Sequence, residues 1–599
     1  MLNEILRRNF AGTRCSNRTL FNKRRYGWTV PTVGNAPIMT ASAAFAKNPD
    51  LTESLAANAL RAGTEHLAAG RIEQAVAAFR RGLAEAENQN LGQAGAAIVA
   101  ELHFKLGNAG MIRGELDTAA ESYSAALRLQ PNMTHGWCNL GNVYLKWDRA
   151  QDAIQLYAHA LSLNPGHWAT RTNLAQALIA TRQIVLAKVL LIELTVERPE
   201  DTQVRNQLGK LYADLDELEA ALDCFSRAIA INPNDADSLY CLGNILQKMG
   251  DREGAEAAFI HAARLQPLIR RPAARSPAEF RVLALFAPFA GNTPTEYLLT
   301  GPAYDANTLA VFEGRDYDIE LLRRNADVVF NLISDADQAQ ALFPLVTELT
   351  DRLDLPTINP PRKIAQTARE DVARLLDGIA GCRIPKVLRL RADAGSTAAL
   401  EAAKAFALPI LVRPAGTHGG DDFEKFDSAN DVAAFMARHP GAEHYLIEYL
   451  DYRSADGYFR KYRFIFIGEE ILPYHLAVGL DWKLHHDSTD MINHGWMQRE
   501  EEAFLNDPTA FFTPSHCQAL HAIRQAVDLG YFGIDCGLDA SGNLVVFEVN
   551  ASMLIHQHNE NFPYKAPFVE RIRLAFDAEL RRIATAQRPP RAGPPSPGS

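Results

Sequence analysis

The chain has 599 residues, 47% hydrophobic and 22% charged, with a formal net charge of -10, so its length calls for several domains and its charge gives no electrostatic reason to expect nucleic acid as the main partner. Seven scattered cysteines without a CxxC pair argue against a disulfide framework or a zinc site and fit a reducing compartment, each thiol reading as a small buried hydrophobe. No run of 18 apolar residues is present to cross a membrane as a helix.

Residues 1–50 form a basic extension, with Arg7, Arg8, Arg14, Arg18, Lys23, Arg24 and Arg25 near the start against the single acid Glu4. No apolar segment of signal-peptide type follows. The preferred reading is a disordered extension upstream of a second candidate start at Met39; a mitochondrial transit peptide is the alternative. The expected location is cytoplasmic.

Residues 51–267 carry a repeat. A Leu-Gly or Leu-Ala pair recurs every 34 residues, with the small residue at Gly107, Gly141, Ala175, Gly209 and Gly243. Twelve residues after each comes Ala119, Ala153, Ala187, Ala221 or Ala255, and four further on Tyr123, Tyr157, Leu191, Phe225 or Phe259. Pro131, Pro165, Pro199, Pro233 and Pro267 close the units, because proline cannot continue a helix. The spacing predicts two antiparallel helices per unit, with the small residues where backbones approach and the large ones filling gaps to the next unit. A sixth unit, with Gly63, Ala75 and Phe79, precedes these at an offset of 44 residues, which predicts a longer helix or loop near 88–98. This pattern resembles the tetratricopeptide (TPR) family. The resemblance implies an all-α solenoid whose groove takes a peptide or protein segment. Asn108, Asn142, Asn173 and Asn244 are candidates to line that groove or to tie repeats together.

Residues 268–280 read as a Pro- and Arg-rich linker, after which the helical period stops. Arg281 to Ala287 and Asp327 to Ile333 read as buried strands. A helix near 338–353 and a short strand at Pro356 to Ile358 follow, so 281–360 is expected to be an α/β layer. Residues 586–599 are rich in Pro, Gly and Ser and read as a disordered tail.

The segment from Gly533 to Asn550 reads as a hairpin, with Asp535 on one strand, a turn over Asp539 to Asn543, and a return strand from Leu544 to Asn550. Strand alternation puts Glu548 and Asn550 on one face, Phe547 and Val549 on the other, and lets Asp535 face Glu548. Two carboxylates and an amide oxygen make a hard oxygen site suited to magnesium (or manganese).

That Asp, followed thirteen residues later by Glu-x-Asn, is similar to the metal hairpin of ATP-grasp ligases of the D-alanine–D-alanine ligase and glutathione synthetase type. Pro409 to Gly420 resembles the strand and glycine-rich loop over the ATP phosphates. Tyr445 to Asp451 resembles the adenine-reading hinge, and Arg460 to Gly468 the strand whose bases face phosphate. The resemblance spans roughly 281–580 and implies a multidomain chain: an all-α TPR solenoid, then an α/β (α+β) ATP-grasp fold with its ATP-grasp domain at 361–585. It implies ATP binding by Arg369, Arg413, Gly416, Gly419, Gly420, Glu448, Tyr449, Leu450 and Asp451. It also implies metal binding by Asp535, Glu548 and Asn550, and catalytic charge from Arg413, Arg463 and Lys461.

The chain departs from the family in places. Arg413 stands where lysine is usual, Arg369 is the nearest cation to a second lysine position, and Gly533 replaces an arginine two residues before the metal aspartate, leaving Arg463 or Lys461 to supply that charge. His485, His486, His556 and His558 have no zinc spacing and read as exposed or as acceptor contacts. Tyr474, His475, Trp482 and Lys483 cluster near the implied acceptor pocket. The resulting expectation is an ATP- and magnesium-dependent ligase that joins a small carboxylate to an amine through an acyl phosphate. The alternative is a TPR interaction scaffold whose ATP-grasp half binds nucleotide with weak catalysis.

Overall fold

The computed structural model describes residues 55–89, 92–274, 277–295, 297–301, 303–394, 396–417, 422–439, 441–484, 489–556 and 559–586. The basic extension, Gly419, Gly420, His485, His486, His558 and the tail beyond 586 lie outside the described residues. The chain divides into two compact units, Met1–Gln266 and Pro267–Ser599.

The first unit is all α. Its described helices run in six sequential pairs: α1 (Leu55–Ala68) with α2 (Ile72–Gln89), α3 (Gly92–Arg113) with α4 (Leu116–Leu129), α5 (Thr134–Lys146) with α6 (Ala150–Leu163), α7 (Trp168–Ala180) with α8 (Ile184–Glu197), α9 (Thr202–Asp214) with α10 (Leu218–Ile231), and α11 (Ala236–Lys248) with α12 (Arg252–Leu265). The longer first spacing is taken up by α2 and α3, which have 18 and 22 residues against 14 in α4.

The reason for the recurring glycine is visible in each pair. A Cβ on Gly63 would meet the Phe79 ring at 2.4 Å, on Gly107 the Tyr123 ring at 2.5 Å, on Gly141 the Tyr157 ring at 2.5 Å, and on Gly243 the Phe259 ring at 2.6 Å. The large residue thus lies over the glycine of its own unit, which corrects the expectation that it fills the gap to the next. Where the small residue is Ala175, the partner position carries the narrower Leu191, and both are fully buried in one cluster. Asparagines supply the polar ties. Asn108 Oδ1 accepts from Tyr123 Oη at 2.8 Å and from Asn139 Nδ2 of the next unit at 3.0 Å. Asn142 Oδ1 accepts from Tyr157 Oη at 2.7 Å and Asn173 Nδ2 at 2.7 Å. These amide oxygens are used inside the stack.

The second unit holds three sheets. The first has the order β1 (Ile269–Arg271), β3 (Tyr304–Ala310), β2 (Phe280–Phe286), β4 (Val328–Asn331), β5 (Thr357–Ile358), parallel except for β1. Two of its strands were not expected from the sequence. β1 falls inside the stretch read as a linker, where Leu268 is already core, and β3 was missed altogether. The helix near 338–353 appears as α14 (Phe343–Leu353), after α13 (Ile319–Arg324). It is followed by α15 (Pro361–Ile364) and α16 (Arg369–Leu376).

The second sheet has the order β7 (Val387–Leu390), β10 (His444–Glu448), β8 (Ile410–Pro414), β9 (Glu424–Phe426) and is antiparallel throughout. One face, with Ile410, Val412 and Leu446, packs on α17 (Ser396–Lys404) and α18 (Ala429–Arg438). The other carries Leu411, Tyr445 and Ile447.

The third sheet has the order β12 (Glu470–Gly479), β11 (Phe459–Ile467), β13 (Tyr531–Leu538), β14 (Leu544–Asn550), β6 (Cys382–Arg383). Its apolar face, with Tyr462, Phe464, Cys536 and Val546, joins the largest core, shared with the first sheet and with α19 (Gly495–Asn506) and α20 (Pro514–Val527). The last helix, α21 (Ala566–Ala586), buries Ile572, Phe576 and Leu580 in a second cluster with β2 and β4.

Candidate functional site

The hairpin of the sequence forms as β13 and β14, with Asp539 accepting backbone N–H bonds from Ser541 and Asn543 in the turn. Asp535 pairs directly with Glu548, and Gly533 with Asn550. The register then shifts between Asp535 and Cys536, leaving Phe547 as the extra residue of a bulge. This corrects the simple alternation. Val549 enters the main core, whereas Phe547 packs on Tyr452, 4.6 Å between ring centroids, in a separate cluster with Phe459 and Leu484.

The same pairing continues across the sheet. Asp535 faces Arg463 on β11, and Arg463 faces His475 on β12. His475, Arg463, Asp535 and Glu548 therefore form one cross-strand row on the face opposite the core. Asp535 is buried and takes a forked bond from Arg463, Nε to Oδ1 at 2.6 Å and a terminal nitrogen to Oδ2 at 2.9 Å. Lys461 Nζ adds a contact at 3.3 Å. Burial would raise the Asp535 pKa, but Arg463 and then Lys461 outweigh it and hold the carboxyl well below the usual carboxylate range. Glu548 Oε2 accepts from Arg369 at 2.7 Å. Burial opposes its ionisation, the Arg369 charge overcomes that, and the net shift is downward.

Five expected site residues from four segments thus converge: Arg369, Lys461, Arg463, Asp535 and Glu548. Asn550 lies one row further along, its Oδ1 accepting from Ser552 N at 2.8 Å and Ser552 Oγ at 2.7 Å. Among the described residues no group of three or more His, Cys, Asp or Glu side chains is placed to hold a metal ion. The donor set is two carboxylates and an amide. These are ligand types of a hard cation, but Asp535 and Asn550 already spend their oxygens on Arg463, Lys461 and Ser552, and of the set only Glu548 Oε1 makes no hydrogen bond among the described residues. A Cβ on Gly533 would meet the Met553 side chain at 2.7 Å, so a larger residue there requires Met553 to move, and Arg463 supplies the charge next to Asp535.

The remaining expected residues gather on the second sheet. Arg389, Tyr445 and Arg413 form a cross-strand row on the face opposite α17 and α18. Arg413 is buried and its guanidinium bonds Thr417, with Nε to Oγ1 at 3.2 Å and a terminal nitrogen to the Thr417 carbonyl. Gly416 sits at φ +74°, the left-handed region, and its N–H donates to Asp337 Oδ2 at 3.3 Å. Gln338 Nε2 donates to the Gly416 carbonyl at 3.0 Å. Along the hinge, Glu448 Oε2 accepts from Lys386 N at 3.0 Å, Tyr449 meets Trp482 at 6.1 Å, Leu450 is buried, and Asp451 accepts from Arg453 N at 3.0 Å. Lys425 Nζ lies 4.8 Å from the Tyr449 ring centre and 5.6 Å from that of Trp482. The start of α16 links the two groups, since Arg369 reaches Glu548 while the adjacent Glu370 contacts Arg389 at 3.3 Å.

Sequence reasoning missed Arg389, Asp337 and Lys425, and named Tyr445 only as the start of the hinge segment. Arg389 bonds Asp337 at 2.9 Å, Tyr445 Oη at 3.1 Å and Glu443 at 2.7 Å. The alternation in Val387-Leu388-Arg389-Leu390 was the available signal. It also missed Glu501 and Lys565, which surround His475. Glu501 is fully buried and accepts from His475 Nδ1, Lys565 Nζ at 3.1 Å, Leu476 N at 3.2 Å and Tyr564 Oη at 2.5 Å.

This cluster makes acid stability pH-dependent. Burial first, and the Lys565 charge second, push the His475 imidazole from 6.5 down to about 4. Between those values the unfolded chain binds a proton that the folded one does not, so stability is lost as pH falls, by roughly 3 kcal/mol over the window. Glu501, held at about 2 against burial by His475 and Lys565, has a folded pKa below its ordinary 4.5, so its contribution is lost at still lower pH. Denaturant melts of the carboxy-terminal unit at pH 7, 6, 5 and 4 are expected to show the decline, and His475→Gln to flatten it.

Comparison with known proteins places the first unit. TPR repeat and tetratricopeptide repeat family models match residues 107–147, 145–211, 209–250 and 236–267, so this part of the chain consists of TPR repeats. Human protein O-mannosyl-transferase TMTC1 is 25% identical over 158 residues, 26% of this chain and 18% of that protein. The bovine BBSome complex member BBS4 is 26% identical over 168 residues, 28% of this chain and 32% of its own length. The chain thus spans a third or less of these relatives. Among solved structures, Pseudomonas aeruginosa pilF aligns with TM-score 0.31 and 20% identity over 36% of this chain and 92% of that one. YrrB, described as a TPR protein with an unusual peptide-binding site, aligns with TM-score 0.24 and 26% identity over 28% and 87%. No described helix is long and apolar enough to cross a membrane.

Proposed function

We propose that the carboxy-terminal unit binds ATP and magnesium and joins a carboxylate to an amine through an acyl phosphate, while the TPR repeats hold a peptide or protein segment that is the substrate or a docking partner. The observation that carries this reading is the facing pair Asp535 and Glu548 with Arg369, Lys461 and Arg463 converged on it. Buried charged groups with strongly shifted carboxylates concentrate at functional sites, and three cations beside two carboxylates leave positive charge to meet a polyanion. Asp535, Glu548 and Asn550 would hold magnesium, which when bound supplies positive charge against the triphosphate. Arg369, Arg413, the backbone of Gly416 and, outside the described residues, Gly419 and Gly420 would take the phosphates, with Glu448 to Asp451 at the nucleoside. Lys461 and Arg463 would stabilise charge on the transferred phosphoryl group.

A second reading is a scaffold that binds nucleotide without turnover. It is favoured by Asp535 having both oxygens already bonded to Arg463, and by Arg413 being turned onto Thr417. ADP release from magnesium-ATP, with and without the twenty amino acids, separates the two. Stimulated release with a new amide by mass spectrometry supports the ligase, and binding without release supports the scaffold.

A further inference from the structure

We infer that His475 takes the proton from the attacking amine, with Glu501 as the residue that positions its ring; the inference rests on the ligase reading above. His475 stands in the row beside Arg463, two strands from Asp535 and therefore roughly 10 Å along the sheet from the carboxylate pair. That distance suits the acceptor rather than the phosphates. Glu501 is a carboxylate and can only accept, and Lys565 Nζ, which also lies near Nδ1, already donates to that carboxylate at 3.1 Å, so the hydrogen between ring and carboxylate is assigned to His475 Nδ1. The lone pair is then on Nε2, which is buried and has no hydrogen-bond partner. Among the described residues His159 Nε2 and both ring nitrogens of His444 are likewise buried without a partner, so what singles out His475 is its fixed ring beside the charged row. Three further donors, Lys565 Nζ, Leu476 N and Tyr564 Oη, anchor Glu501 against this one ring.

The surroundings are built to keep the imidazole neutral. Lys565 Nζ lies 3.0 Å from Nδ1, Arg463 is the cross-strand neighbour, and Tyr474, Tyr564 and Glu501 complete the charged and titratable groups around it. Tyr474 Oη is fixed by the His556 N–H at 2.9 Å, on the segment that follows the metal strand. After the substrate ammonium has lost one proton to solvent, its lone pair forms the C–N bond to the acyl phosphate carbonyl carbon. The second N–H proton passes to Nε2 as the nitrogen turns acidic. The C–O bond to phosphate breaks, its electron pair leaving with phosphate, and His475 returns the proton to solvent.

Hydroxylamine tests this, because its nitrogen is far less basic than an amino acid's: it is largely unprotonated at pH 7, and its more acidic adduct gives up the N–H proton to water without a protein base. The full chain is supplied with magnesium-ATP and the twenty amino acids, with or without hydroxylamine, and hydroxamates and amides are counted by mass spectrometry. In His475→Gln, amide formation is expected to fall on the order of 100-fold while hydroxamate formation stays within about twofold. An equal fall in both, or no fall in amide, would overturn the assignment. A wild-type chain that makes neither product removes the ligase reading and this inference with it. Should His475→Gln not fold, Tyr564→Phe, which removes one hydroxyl from Glu501, is expected to show the same split at several-fold scale, and a parallel loss of both products would again count against it. Nitrogen-15 spectra of histidine-labelled protein give a readout apart from turnover: one ring protonated at Nδ1 only at pH 7. The signal is assigned as the one lost in His475→Gln, and protonation of that ring at Nε2 would contradict the geometry.

Discussion

Asp535→Ala is expected to destabilise the carboxy-terminal unit by roughly 3–5 kcal/mol, the cost of leaving buried charges without their partner. The Asp535 side chain is 4% exposed and balances Arg463 and Lys461, whose side chains are 26% and 19% exposed. Asp535→Asn keeps one acceptor oxygen for the Arg463 fork and is expected to cost less than half as much. Denaturant melts of the full chain, followed through the transition of this unit, check both. Equal stability of Asp535→Ala and wild type would mean that water already balances these cations and that the row is not a closed ion network.

The second large effect lies in the TPR stack and is a coupling. Gly141→Ala places a methyl 2.5 Å from the Tyr157 ring and is expected to cost about 1–3 kcal/mol by overpacking. Tyr157→Leu empties part of that space and removes the hydroxyl from Asn142, at about 2–4 kcal/mol. The double variant is expected to cost less than the sum by about 1–3 kcal/mol, because the new methyl fills the space the ring gives up. The chain already contains this solution one unit later, where Ala175 accompanies Leu191 and Gln176 stands where Asn142 would be. Additive effects in the cycle would show that ring and glycine do not share one space.

How much of this was legible differs between the units for a physical reason. The TPR period is local. Each glycine and its ring are 16 residues apart on neighbouring helices, so in-phase spacing was enough to fix helix count and small-residue positions. The direction of the large side chain was not legible, because spacing alone cannot tell the gap within a unit from the gap between units. The β13–β14 hairpin was readable for the same local reason: a five-residue turn sets the register that faces Asp535 with Glu548. The bulge at Phe547 was hidden, since an extra residue on one strand leaves composition unchanged. Arg369 was named as a nucleotide cation, and the structure brings it to Glu548, 179 residues away. The cluster of Arg389, Asp337, Tyr445 and Gly416 joins segments of both the first and second sheets, and Glu501 and Lys565 reach His475 from α19 and from just before α21. No window of sequence contains those pairings. The Asn ladder was half legible: its residues were singled out, but only the helix packing shows that Asn108 and Asn142 spend their oxygens on the stack.

The most direct test of the central claim is calorimetric titration of the full chain with ATP in the presence of magnesium, beside Glu548→Gln, which keeps an oxygen for Arg369 while removing the charge that would hold the cation. Saturable one-site binding that requires magnesium and weakens at least about tenfold in Glu548→Gln is the expected result. No binding by the wild type, or binding indifferent to both magnesium and Glu548, would contradict the nucleotide and metal site.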